Sequence, residues 1–217
     1  MLYDYPAKSK FGKSIPKKKI YEYATITNKL KDKIVNQIEK ITWQHKLSQD
    51  TINLPSTNNV REIQVFDIQL RNGELDIDVL RTIDKAIPFP IIFQLKYNDQ
   101  LQIKSAYKRI SESDNSKWIV DSYFSTAWLP EDTQKQKLPL VLNLEKLYEE
   151  IIKSLMPIKL QENKPLQKQV EDVNKIQLLQ KQYAQLKSKR DKEKQFNKKV
   201  ELNKELKELK NKIEALK

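Results

Sequence analysis

Cysteine is missing from the 217 residues, histidine occurs once (His45) and glycine only twice (Gly12, Gly73). Each shortage excludes a class of chemistry. Without cysteine there is no disulfide framework, zinc ribbon, iron–sulfur cluster or thiol nucleophile. One histidine cannot build a multi-histidine metal site within a chain. Two glycines cannot supply a dinucleotide fingerprint or a glycine-rich kinase loop. No apolar run approaches the roughly 18 residues that a membrane span needs, and the opening MLYDYPAKSK lacks a signal-peptide core. The expectation is a cytoplasmic protein without a membrane partner.

What is abundant is charge. Lys+Arg number 41 against 29 Asp+Glu, a net +12. Residues 1–20 hold six lysines and one aspartate. Residues 21–157 hold 18 basic and 19 acidic groups, and residues 158–217 hold 17 basic and 9 acidic. A balanced body thus carries cationic ends, which attract polyanions through counterion release. Lysine outnumbers arginine 36 to 5, beside much Asn and Ile. An AT-rich coding bias yields the same profile, so a solvated charged surface is the competing reading.

The pattern divides the chain into a basic N-terminal arm (1–20), a body (21–157) and a helical tail (158–217). The arm, with Pro6, Gly12 and Pro16, reads as irregular. Leu30, Ile34, Ile38 and Ile41 recur at helical spacing, predicting a helix from an N-cap at Thr27 to about Leu47. REIQVFDIQL predicts a strand. Asp76–Ala86 predicts a helix ended by Pro88 and Pro90. Strands are expected at Ile91–Tyr97, Leu101–Arg109 and Trp118–Trp128, and a helix at Asn143–Leu155. The predicted fold class is α+β: a mainly antiparallel sheet packed by helices on one face, then a long coiled-coil-like helical tail.

Residues 166–217 lack Gly and Pro. Val173, Ile176, Leu179, Tyr183 and Leu186 form one seam. Leu202, Leu206, Leu209, Ile213 and Leu216 form a second, at coiled-coil spacing. A single helix of about 50 residues and a hairpin turning within 188–198 both fit. Without a strong turn signal, the second seam is expected to bind a partner: another protein or a second copy of the chain.

Few residues suggest catalysis. AKSKFGKS (7–14) fits a relaxed phosphate-loop pattern. It lacks the preceding strand and following helix that the chemistry requires, so chance matching is the better account. Asp67 with Gln94 and Lys96 resembles the acid and Glu/Gln-x-Lys set of a metal-dependent nuclease, to which Glu62 or Asp84 could add a carboxylate. Gln is a poor metal ligand, and alternation alone accounts for Gln94 and Lys96. His45 reads as a helix-end side chain. Tyr97, Tyr107, Trp118, Tyr123, Phe124 and Trp128, interleaved with Lys96, Lys104, Lys108 and Arg109, suit strand packing better than base stacking. No catalytic, metal-binding or cofactor-binding residue is assigned, and no cofactor is expected.

FGKSIPKKKIYE, ITWQHKLSQDTINLP, REIQVFDIQL and VLRTIDKAIPFPIIFQLKY resemble a bacterial family known only as a domain of unknown function. The likeness runs from about Phe11 to Leu155, most recognisably at Trp43–Pro55 and Asp84–Pro88, and leaves the tail outside. Members are often encoded beside helicase and DNA methyltransferase genes in restriction and phage-defence clusters. The resemblance implies an accessory subunit that docks a helicase-like or DNA methyltransferase partner, and it supplies no catalytic residue.

The expected function is therefore a non-catalytic accessory subunit of a bacterial restriction or anti-phage assembly. DNA or RNA backbone would meet Lys17, Lys18 and Lys19 in the arm, and Lys187, Lys189, Arg190, Lys192, Lys194, Lys198 and Lys199 in the tail. The alternatives are a degenerate metal-dependent nuclease using Asp67, Gln94 and Lys96, and a structural scaffold that binds no nucleic acid.

Overall fold

The structure, a computed structural model, describes residues 2–23, 26–111, 113–114, 117–157 and 164–216. It divides into two units, Met1–Leu155 and Met156–Lys217. The first contains β1 (Tyr3–Asp4), β2 (Lys10–Ser14), α1 (Lys17–Tyr23), α2 (Asn28–Gln37), β3 (Ile38–Ser48), α3 (Gln49–Ile52) and β4 (Glu62–Leu70). It continues with α4 (Ile77–Ala86), β5 (Ile91–Tyr97), β6 (Gln100–Ile110), β7 (Trp118–Ser125), β8 (Leu129–Pro130), β9 (Gln136–Lys137) and α5 (Leu144–Leu155). The second contains α6 (Leu166–Lys192) and α7 (Phe196–Glu214). The fold class is α+β.

The main sheet runs β2-β3-β4-β5-β6-β7, with β8 also on β6. Every pairing in it is antiparallel except β4 with β5, which α4 connects as a crossover. Phe66, Ile68, Leu70, Ile91, Phe93 and Leu95 face a core completed by Ile20, Ile34, Val79, Leu80 and Ile83 from α1, α2 and α4. The alternates Ile63, Val65 and Ile92 are equally buried on the other side, where α5 packs on β4, β6 and β7. Helices therefore cover both faces, not one.

Two local expectations change. The predicted helix from Thr27 stops at Gln37. Its cap is as expected, with the Thr27 hydroxyl accepting from Leu30 N at 3.3 Å, but residues 38–48 form β3. The β3–β4 register shifts between Ile38 and Lys40, a β-bulge that turns Ile38 and Ile41 to the same face. A three-residue spacing that reads as helical is thus satisfied on a strand. The arm is also not irregular throughout, since Lys10–Ser14 is the edge strand paired with β3. The Asn98–Asp99 hairpin forms without glycine, both residues adopting positive φ (45° and 59°). Of the linker between Pro157 and Pro165, residues 158–163 lie outside the described residues.

In the second unit α6 and α7 pack together as a hairpin, the folded-back alternative for the tail. The turn signal is Glu193. Its Oε1 accepts hydrogen bonds from Lys194 N (2.8 Å) and Gln195 N (2.9 Å), which hold its carboxyl below the ordinary range and end α6 without glycine. Arg190 on α6 also donates to Asn203 Oδ1 on α7 at 3.2 Å.

One buried lysine ties the first unit together. The Lys108 side chain, 1% exposed, leaves β6 and donates to the carbonyls of Asp84, Ile87 and Phe89 (2.9 Å for the last) at the C-terminus of α4. Three N–H donors meet three acceptors, the complement of an ammonium group. The Asp84 carboxylate lies 3.8 Å away and accepts a hydrogen bond from the Tyr123 hydroxyl on its other oxygen. Burial pushes Asp84 up to about 6 and Lys108 down to about 8. Lys108→Met leaves those carbonyls and the carboxylate uncompensated, so it should cost about 3–5 kcal/mol in urea unfolding. Asp84 binds its proton more tightly folded than unfolded. Its contribution is therefore full below its ordinary carboxylate range and is lost as pH rises through about 6. Asp84→Asn should remove that downward slope, on the order of 2–3 kcal/mol across the interval, in urea titrations run at a series of pH values.

Candidate functional site

The residues weighed for a nuclease do come together. Asp67 on β4 sits directly beside Gln94 on β5, and Lys96 Nζ reaches Asp67 Oδ2 at 3.1 Å. What they build is an ion-pair bridge. Lys96 also contacts Glu131 Oε1 at 2.8 Å, so one ammonium occupies the space between two carboxylates. Among the described residues no group of three or more His, Asp or Glu could hold a metal ion. Glu62 pairs with Lys46 at 3.1 Å and Asp84 belongs to the buried lysine network, so neither adds a carboxylate here. Glu131 had no sequence signal; a loop after β8 carries it to the bridge.

His45 lies on β3, not at a helix end, and pins the N-terminal segment. Ser9 Oγ donates its single proton to Pro6 O at 2.7 Å. The 3.0 Å contact between Ser9 Oγ and His45 Nδ1 therefore requires Nδ1–H as donor. The Tyr5 ring packs on the imidazole at 4.8 Å, and burial lowers the His45 pKa, favouring the neutral ring. The phosphate-loop-like segment becomes a 3₁₀ turn at Ala7–Ser9 followed by β2, with no helix N-terminus to face a phosphate.

The aromatic residues on the later strands are engaged in packing. Tyr97 covers Gly73, where an added Cβ would meet the ring at 2.8 Å. Tyr123 donates to Asp84, Phe124 is buried and Trp118 lies 5.7 Å from the Lys108 ammonium. In the arm, Lys17 donates to Ile38 O, the C-cap of α2, while Lys18 and Lys19 are exposed.

The hairpin turn gathers the tail cations. Lys187, Lys189, Arg190 and Lys192 end α6, Lys194 lies in the turn, and Lys198 and Lys199 open α7. Across 187–199 seven basic groups outweigh Asp191 and Glu193. Lys187, Lys189, Lys192, Lys194 and Lys198 are exposed; Arg190 and Lys199 are partly covered. Phe196 stands among them, 77% exposed. The sequence already set these residues in one short run, and the turn brings the two helix ends that carry them to one tip. The second seam goes the other way: Leu202, Leu206 and Ile213 are buried, with Leu209 and Leu216 partly so. Those side chains are not a free surface for a partner.

The bridge geometry gives a direct expectation. Millimolar Mn2+ should leave the thermal unfolding midpoint unchanged, whereas Lys96→Ala should lower stability by about 1–2 kcal/mol through the carboxylate left without its cation. A metal-dependent rise in the midpoint, lost in Lys96→Ala, would contradict it.

Neither curated proteins nor solved structures yield a match to the sequence. A family model does match, over residues 3–213, and this span takes in the hairpin that the resemblance had left outside. The chain belongs to the family described as Domain of unknown function (DUF4391).

Proposed function

We propose that the protein is a non-catalytic accessory subunit of a bacterial restriction or anti-phage assembly that grips nucleic-acid backbone with its hairpin tip. The observation that carries the reading is the tip itself: seven basic groups brought together by one turn, five of them exposed. Lysine ammonium groups on long stems neutralise phosphates without reading bases, so the contact is weakly sequence-selective. The exposed Phe196 ring adds a stacking surface within the same cluster. A protein contact is supported on the first unit by Leu140 and Leu142, apolar side chains largely exposed before α5. The partner's class, a helicase-like or DNA methyltransferase protein, rests on the family resemblance. A nuclease reading is less well supported, because Lys96 fills the space between the acids.

Fluorescence anisotropy with duplex DNA and with single-stranded RNA tests the grip. With about five phosphates neutralised, raising salt from about 50 to about 200 mM should weaken binding several hundred-fold. Substituting Lys192, Lys194 and Lys198 by Glu should reduce the log–log salt slope by about 3 and leave unfolding unchanged. A slope insensitive to these changes, or no binding at low salt, leaves the scaffold reading. Co-purification from the native host identifies the partner.

A further inference from the structure

A cavity of about 600 Å3 opens between β2, α1 and the C-terminal end of α4. Four aromatic rings line it: Phe11, Trp43, Phe66 and Phe89. They are ordered. Phe11 and Trp43 centroids lie 4.2 Å apart, Trp43 and Phe66 6.2 Å, and Phe66 continues to Phe93 at 6.3 Å in the core. The Trp43 indole N–H is spent on His45 O at 2.9 Å, so its donor is not free for a ligand. Ile83, Ile87 and Pro88 complete an apolar lining.

The mouth is cationic. Lys13, Lys19 and Lys46 border it with one acid, Glu62, which is paired to Lys46 at 3.1 Å. Lys13 Nζ lies 4.6 Å from the Phe11 ring centre, and among the described residues neither Lys13 nor Lys19 has an acidic partner. Residues 5–20 carry six lysines and no acid. The occupant must offer a flat apolar body to the tilted rings and negative charge to the rim. A leucine-like anchor from a protein satisfies neither requirement as well as a nucleobase with its phosphate. The volume falls within the range of small-molecule sites.

We propose that this cavity binds a nucleotide unit, its base against Phe11, Trp43 and Phe89 and its phosphate at Lys13 and Lys19. The cavity is built from residues of the first unit and the tip from residues of the second, so the two readings can fail separately. The test uses the full chain and the Trp43 indole resonance, distinguishable among three tryptophans. Adenosine monophosphate and a five-nucleotide oligoadenylate are the probes. Saturable shifts of Trp43 are expected with at least one: the monophosphate alone assigns a free nucleotide, the oligonucleotide alone a strand. Phe11→Ala, at a partly exposed edge position, should weaken binding tenfold or more with the circular dichroism spectrum unchanged. The pair Lys13→Glu and Lys19→Glu should do the same, and the tip substitutions should leave the monophosphate affinity as it was. The assignment is overturned if neither probe shifts Trp43 at several millimolar, or if both sets of pocket substitutions leave binding intact. Tighter displacement by an acidic leucine-bearing peptide would overturn it in favour of a protein segment.

Discussion

Lys108 answers two needs of the fold with one side chain. A helix that crosses over between parallel strands ends with carbonyls that lack intrahelical partners. The ammonium from β6 accepts that role for Asp84, Ile87 and Phe89, and Asp84 supplies the opposing charge. Removing either partner strands the other in a low-dielectric interior. The residues so held lead directly into β5, so the cap also sets where β5 starts. Ile83, Ile87 and Phe89 are at once the neighbours of this cap and a wall of the aromatic cavity. Stability and the shape of the cavity therefore depend on the same buried contact.

The abundant lysines separate into two populations by what they face. Lys17, Lys96 and Lys108 are consumed internally, by a helix-end carbonyl, a pair of carboxylates and three carbonyls respectively. Lys13 and Lys19, and the exposed lysines of the hairpin tip, keep their charge for solvent or an anion, whereas Arg190 pairs with Asp191. Net charge counts both populations equally. Only the second can release counterions from a polyanion, so a functional reading of +12 has to be made on geometry.

The nuclease-like set shows how adjacency differs from chemistry. Asp67, Gln94 and Lys96 are neighbours, as their strand positions suggested, but Lys96 is shared with Glu131, so one ammonium sits between two carboxylates. The lysine fills the space that a metal ligand set would need to leave open. Family membership over 3–213 likewise moves the hairpin from an appendage to part of the shared domain.

Local pattern determined much of this protein. The strands of β4, β5 and β6, the helices α4 and α5, the Thr27 cap and the α+β class follow from alternation, helical spacing and proline, because each acts over a few residues. Tertiary contacts decided what those signals leave degenerate. A bulge lets Ile38 and Ile41 share a face at helical spacing, so only pairing with Leu70 and Ile68 makes 38–48 a strand. Lys10–Ser14 becomes a strand because β3 offers it an edge. The tail folds back because its two seams bury each other and Glu193 takes two turn amides, although no glycine announces the break. The aromatic cavity was the least legible feature, since its walls come from segments distant in sequence that meet only when the sheet and α4 close upon them.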